Sequence, residues 1–223
     1  MIRYLKILCV SLVASFMLSA MVASTACAAE FLFRSDGTFT YITGEEKGGQ
    51  FIGDGGVINC GQTIYYGTQG GFKTGFLIVE PLYTNCTVGG LAVEIHTNGC
   101  GFSFLQDNNT GGGKFDAITS IGCPIGQEMT ITFLMGATTK CIIHIPEQTL
   151  GTGAVFTNGV TGKGIKDYKA DINLTGIKYQ QTKGTGIGAC NTGDETANGS
   201  FAGNPTFTGR DESKLEETHI WLE

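Results

Sequence analysis

Two short segments of alternating apolar and polar residues, joined by a glycine-containing turn, constrain the fold of this chain most strongly. In Met129–Phe133 the apolar residues alternate with threonines, and Cys141–Ile145 repeats the pattern, so each segment has one apolar face when extended. Gly136 to Lys140 supplies the turn, and Pro146, which lacks a backbone N–H, limits the second strand. The stretch predicts an antiparallel hairpin with one buried face.

Comparable patterns recur along the chain. Thr38–Ile42 is expected to pair back on Glu30–Arg34, and Phe76–Pro81 predicts a buried strand ended by its proline. Tyr168–Leu174 alternates and predicts a half-exposed strand ended by Gly176. Each segment is bounded by turn-forming residues.

Helical periodicity is nearly absent, and Arg210–Glu217 is the only candidate helical turn. The 35 glycines among 223 residues indicate frequent turns between strands. The pattern predicts an all-β protein: an antiparallel β-sandwich of about 12–14 short strands, with little helix.

Residues 1–28 are predicted to be a secretory signal peptide, which leaves residues 29–223 as a single β-sandwich domain. Arg3 and Lys6 precede the apolar run Ile7–Ala23, and the small residues Ala26–Ala29 offer a cleavage site. The expected location is therefore secreted, extracellular or at the cell surface.

A membrane anchor and a lipoprotein signal, with Cys27 as the lipidated residue, are the alternatives for this leader. The apolar run is only marginally long enough to span a bilayer. Ser24 stands where the bacterial lipoprotein signal usually has leucine, which argues against lipidation. No second apolar run reaches spanning length, so no membrane span is expected after cleavage.

Cysteine usage agrees with export. Loss of Cys9 and Cys27 with the leader leaves six cysteines, an even number typical of disulfide-bonded proteins in oxidising compartments. These disulfide candidates are Cys60, Cys86, Cys100, Cys123, Cys141 and Cys190. Six cysteines allow fifteen connectivities. Cys123 with Cys141, which flank the hairpin, is the first predicted pair, and Cys60 with Cys86 is the second.

The net charge argues against nucleic acid as a partner. The whole chain carries a net charge of −6, and loss of Arg3 and Lys6 with the leader lowers it to −8. No basic stripe interrupts this acidic surface, which would repel phosphate backbones. The remaining partner classes are an extracellular protein or a glycan.

Several short segments occur together in an order that resembles a family of uncharacterised secreted bacterial domains, β-rich and disulfide-containing. The segments are Pro81–Cys86, Thr97–Cys100 followed by Phe102 and Phe104, Cys123 to Cys141, Ile145–Gln148 and Thr175–Tyr179. The resemblance covers roughly residues 30 to 210. It implies an exported bacterial protein, and it carries no activity, ligand or site residues.

No metal or cofactor site is predicted. Cys141 and His144 have a C-x-x-H spacing, but an odd offset on a strand sends the two side chains to opposite faces. Around Asp107 a calcium-binding EF-hand register would place Ile118 at the twelfth position, which requires an acid. A surface calcium site of another kind near Asp107 leaves a calcium-dependent adhesion module as one alternative function.

No local pattern of a catalytic site is present, since the chain lacks G-x-S-x-G and H-E-x-x-H. His96 and His144 would meet beside Glu94 if their strands were neighbours. Carboxylates such as Asp54 and Glu80 would form a pair only in the fold, so a secreted hydrolase acting on carbohydrate is a second alternative.

The preferred hypothesis is a structural or binding module without catalytic activity, in the extracellular space or cell envelope. Carbohydrate binding needs exposed aromatic residues, and adjacent tyrosines on a strand point to opposite sides, so one of Tyr65 and Tyr66 is expected outside. The candidate ligand-surface residues are Tyr65, Tyr66, His96, His144 and Asp107.

Overall fold

Antiparallel β-strands make up most of the described chain. The computed structural model describes residues 31–54, 56–135, 138–183, 193–212 and 216–223, and the side chains of 135, 138–140 and 183 are not included. The predicted signal peptide, Cys27 and Cys190 lie outside the described residues. The described residues form seventeen strands, which are β1 (Phe33–Ser35), β2 (Phe39–Glu46), β3 (Gln50–Gly53), β4 (Gly56–Gly70), β5 (Lys73–Thr74), β6 (Phe76–Val88), β7 (Leu91–His96), β8 (Gly101–Gly111), β9 (Lys114–Gly122), β10 (Met129–Met135), β11 (Thr138–Ile145), β12 (Gln148–Val160), β13 (Lys166–Lys183), β14 (Thr196–Gly203), β15 (Thr206–Asp211), β16 (Glu217–Thr218) and β17 (Ile220–Leu222).

The main sheet, which contains every described strand except β1, β5 and β17, closes on itself in two hydrogen-bonded circuits. One runs β13, β12, β9, β8, β6, β4, β2, β15 and back to β13. The other runs β13, β11, β10, β7, β6, β4, β3, β14 and back to β13. The strands β4, β6 and β13 belong to both circuits. Every pairing is antiparallel, so the predicted all-β, disulfide-stapled sandwich class is confirmed.

Strand β13 is longer than predicted because Gly176 does not end it. Instead, Gly176 shifts the alternation of inward-facing and outward-facing side chains by one residue. Leu174 and Ile177 are both buried, although their spacing of three would place them on opposite faces of a regular strand. Gly176 between them has φ +73°, and the register with β14 shifts at this point. Such a bulge keeps the alternate apolar side chains from Tyr168 to Tyr179 inside.

The core is rich in aromatic side chains from strands that are distant in sequence. Phe156 lies 5.4 Å from Phe33, 5.2 Å from Phe104 and 5.9 Å from Tyr168, measured between ring centroids. Phe207 packs against Tyr168 at 5.5 Å. All five rings are buried. Their tilted and edge-on contacts, together with the burial of their area, are a major source of stability.

The described disulfides differ in part from the predicted pairs. Cys60 and Cys86 are bonded and lie directly opposite each other on β4 and β6, as predicted. The predicted Cys123–Cys141 pair is wrong, because Cys123 is bonded to Cys100. Cys141 is itself disulfide-bonded. The bonds suggest an oxidising environment of the extracellular type.

The predicted local elements have mixed outcomes. The hairpin of β10 and β11 is confirmed, with Met129, Ile131 and Ile143 buried. The opening hairpin is wrong, because β1 pairs with β5 and with β17 at the other end of the chain, whereas β2 pairs with β4 and β15.

The candidate helical turn at 210–217 is also wrong where it is described, since Arg210 and Asp211 continue β15 and Glu217 begins β16. The described ranges contain no helix of the length and apolarity needed to cross a membrane.

Replacing both Cys60 and Cys86 with alanine should lower the free energy of unfolding by about 3.5 kcal/mol, the chain-entropy value for the 26-residue separation. Urea unfolding of the oxidised proteins measures the difference. After reduction of both proteins the difference should shrink, because the wild type then lacks the bridge as well. Equal stability of the two oxidised proteins would contradict the prediction.

Candidate functional site

An open cleft of about 1290 Å³ lies across the outer face of the main sheet. Its central row of side chains crosses six strands in direct register. The row comprises Tyr41 (β2), Thr68 (β4), Ile78 (β6), Ser103 (β8), Ser120 (β9) and Thr149 (β12). Five strand spacings give the row a length of about 24 Å. The cleft is larger than the roughly 300–1000 Å³ of typical small-molecule sites.

Aromatic and aliphatic side chains line the part of the cleft that β2, β4 and β6 form. Tyr66, Phe76 and Ile78 are each about half exposed, although they are large and apolar or aromatic. Phe39 packs edge-on against Tyr41 at 5.6 Å between ring centroids. A contiguous exposed patch of this kind on a folded protein indicates an interaction surface.

Two carboxylates stand at the rim of the cleft, and neighbouring residues hold each of them. The Thr97 hydroxyl donates a hydrogen bond to Glu80 Oε1 at 3.2 Å. The backbone N–H of Cys123 donates to Glu147 Oε2 at 3.4 Å. The Cys100–Cys123 disulfide fixes this part of the rim. The acceptor groups are therefore positioned before any ligand arrives.

Glycines keep the floor between these carboxylates free of side chains. A Cβ atom at Gly101 would lie 2.6 Å from the carbonyl oxygen of Val79, so this position requires glycine. Gly122 differs, because a Cβ there would meet no atom within 4 Å. A side chain introduced at Gly122 would therefore occupy the cleft.

The charge of the cleft is negative. Its lining, as far as the chain is described, contains Glu80 and Glu147 and no lysine, arginine or histidine. The side-chain amide of Gln148 also reaches the lining, but it is engaged by the backbone of Lys178, donating to the carbonyl at 2.9 Å and accepting from the N–H at 2.8 Å. The side chain of Gln148 therefore makes a structural contact between strands.

The structure separates the two candidate tyrosines, as the alternation predicted. Tyr66 is half exposed and lines the cleft. Tyr65 is fully buried, so its choice as a ligand-surface residue is wrong. Tyr65 faces the core because β4 alternates, and its hydroxyl serves a buried hydrogen bond described below.

The two candidate histidines lie on a different surface from the cleft. His96 and His144 both stand opposite Thr130, on either side of β10, so they share a face but are about two strand spacings apart. His96 lies 3.6 Å from Glu94, whereas His144 contacts Glu128 and bonds the Thr182 hydroxyl at 2.9 Å. The two rings are engaged separately.

Asp107 also lies away from the lining of the cleft, and it accepts a hydrogen bond from Asn108 at 3.0 Å. In the described part of the chain, no three His, Cys, Asp or Glu side chains are grouped to hold a metal ion. Cys141 and His144 alternate as predicted, since Cys141 is buried and His144 lies on the outer face.

Sequence reasoning missed most of the cleft because β6 contains an almost unbroken apolar run. Phe76–Pro81 was predicted to be buried, but only Leu77, Val79 and Pro81 face the core, and the strand continues to Val88. Glu80 has the same parity as Phe76 and Ile78. That single charged residue is the signal that identifies their face as exposed.

A buried carboxylate on β2 forms a second polar feature, inside the fold. Glu46 is buried and accepts hydrogen bonds from the Tyr65 hydroxyl at 2.6 Å and from the Asn204 N–H at 2.7 Å. Gly49 and Gly203 leave the space for it, because a Cβ at either would crowd its oxygens. Burial raises the pKa of Glu46, and the hydrogen bonds oppose that rise.

Comparison of the chain with known protein families, curated proteins and solved structures found no match.

The raised pKa of Glu46 predicts a pH-dependent cost of folding. The folded protein binds the Glu46 proton more tightly than the unfolded chain, so stability falls as pH rises from the ordinary value of 4.5 through the raised folded pKa. As pH rises through that window, the unfolding free energy of the wild type should fall relative to that of Glu46→Gln, by at most about 1.4 kcal/mol per pH unit.

Urea unfolding at a series of pH values measures this difference. Glu45→Gln, on the exposed face of the same strand, controls for the loss of one charge. A difference between the wild type and Glu46→Gln that stays constant or grows in favour of the wild type with rising pH would contradict the prediction.

Proposed function

We propose that the protein is an exported binding module without catalytic activity, which acts in the extracellular space or cell envelope and holds an extended ligand in the outer cleft. The observation that carries the proposal is the half-exposed side chains of Tyr66, Phe76 and Ile78 on one face of the cleft. A folded chain that exposes such residues together gains from covering them with a ligand.

The proposed location has two supports. The sequence begins with a basic start, an apolar run and small residues, the pattern of a secretory leader. Cys60, Cys86, Cys100 and Cys123 form two disulfides, which are typical of proteins outside the reducing cytoplasm. The resemblance to secreted bacterial domains agrees with export and stays a prediction.

The two cleft carboxylates are separated along the direction in which the cleft crosses the strands. Glu80 lies on β6 and Glu147 immediately precedes β12, with β8 and β9 between them. Three strand spacings separate their backbones by about 14 Å. Glu80 and Glu147 therefore provide two contact points along an extended ligand.

Filling the cleft should abolish binding. Gly122→Trp places an indole in the cleft without strain, because Gly122 has no neighbour within 4 Å of a Cβ and is not among the positive-φ glycines. An array of polysaccharides, oligosaccharides, peptides and extracellular proteins, probed with labelled wild type, should show at least one signal that Gly122→Trp loses at least tenfold.

Gly162→Trp is the matched control, because Gly162 has equally open surroundings but does not line the cleft. It should bind as the wild type does. The proposal is overturned if no probe binds, or if Gly122→Trp retains every signal while both variants unfold at the wild-type temperature.

A hydrolase that acts on carbohydrate is the second candidate, because the cleft contains both Glu80 and Glu147. Incubation of the wild type with the polysaccharides of the array, followed by an assay for new reducing ends, separates the two functions. The binding module produces none. New reducing ends that disappear in Glu80→Gln or Glu147→Gln would establish the hydrolase instead.

A further inference from the structure

We infer that the ligand of the cleft is a neutral polysaccharide chain that lies across the strands, from the aromatic side chains of β2, β4 and β6 to Glu147 beside β12. This inference rests on the binding function proposed above and names the ligand class. The cleft is open and about 24 Å long over six strands, which suits several consecutive sugar rings better than a single small molecule.

Charge selects against acidic ligands. The described lining carries Glu80 and Glu147 without a compensating cation, and the whole chain has a net charge of −6. Nucleic acids, phosphorylated chains and uronic-acid polymers would be repelled. Ionised carboxylates only accept hydrogen bonds, so the ligand must bring donors. Sugar hydroxyls are neutral donors that fit this requirement.

The apolar side chains of the cleft complement the other surface of a sugar. A pyranose ring presents a face of C–H groups, which packs against the face of an aromatic ring. Tyr66 and Phe76 are half exposed and therefore available for such contacts. The hydroxyl-bearing residues Thr68 and Ser103 flank Ile78 in the central row. Tyr66 stands directly opposite Glu80, so apolar surface and an acceptor lie side by side and match the two kinds of surface on a glycan.

The strand pairing disfavours an extended peptide as the ligand. Peptides that bind sheets by adding a strand need an unpaired edge. In the central row of the cleft, Thr68, Ile78, Ser103 and Ser120 each have partners on both sides, so the backbone groups of this row are used by the sheet. The glycine floor at Gly101 and Gly122 also provides no pockets for alternating peptide side chains. Recognition must therefore use the side chains of the face, as glycan binding does.

Native gel electrophoresis in gels that contain a dissolved polysaccharide tests the inference. Hydroxyethyl cellulose, mixed-linkage β-glucan, xylan, glucomannan and glycogen serve as neutral probes, and polygalacturonate and dextran sulfate serve as polyanions. At least one neutral polysaccharide should retard the wild type, and neither polyanion should. Tyr66→Ala should weaken retardation on the order of tenfold, the contribution of one aromatic contact, whereas Tyr66→Trp should retain it.

Gly122→Trp should migrate as in a gel without polysaccharide, and Gly162→Trp should be retarded as the wild type is. The inference is overturned if no neutral polysaccharide retards the wild type, or if Gly122→Trp is retarded equally. Binding of peptides or polyanions that Gly122→Trp abolishes would overturn the glycan inference and leave the binding function intact. Absence of any cleft-dependent signal on the array would overturn the binding function itself.

Discussion

The rest of the structure depends on closure of the backbone hydrogen-bond network through β13. This strand pairs with β12 and β11 and with β14 and β15, and so joins both circuits of the main sheet. Closure satisfies backbone donors and acceptors and removes strand edges that would pair with other chains. Closure also fixes which side chains point inward. The aromatic core on the inside and the proposed binding face on the outside therefore both follow from the closed sheet.

Glycines adapt the long strands to this closure. At Gly176 the bulge restores the phase of β13, so that Leu174 and Ile177 both reach the core. At Gly67 and Gly101 close approach to the carbonyls of β6 leaves bare backbone. Some of the glycines that indicate frequent turns in the sequence therefore lie inside strands instead. Part of the cleft floor consists of such glycines.

Local sequence patterns predicted what depends on local contacts. The alternation in β10 and β11 and the opposite orientations of Tyr65 and Tyr66 are confirmed, because each follows from the period of a strand. The second predicted disulfide, Cys60 with Cys86, is confirmed, and the pairing of β4 with β6 places the two cysteines opposite each other.

Features that join distant segments were not predictable from one sequence. The strand β1 pairs with β17, nearly the whole domain away, and no local signal specifies that partner. The cleft combines side chains from six strands, from Phe39 to Thr149, and the unbroken apolar run of β6 hid its exposed half. Glu46 gave no sign of burial either, because its partners Tyr65 and Asn204 lie in other strands and turns.

Native-state hydrogen exchange of β13 tests the closure most directly. Strands that belong to both circuits should open only when the whole domain unfolds, so amides between Tyr168 and Leu174 should exchange with the free energy of global unfolding, as should those of β4 and β6. Exchange of this part of β13 through a low-energy local opening, while β4 and β6 stay protected, would contradict the account.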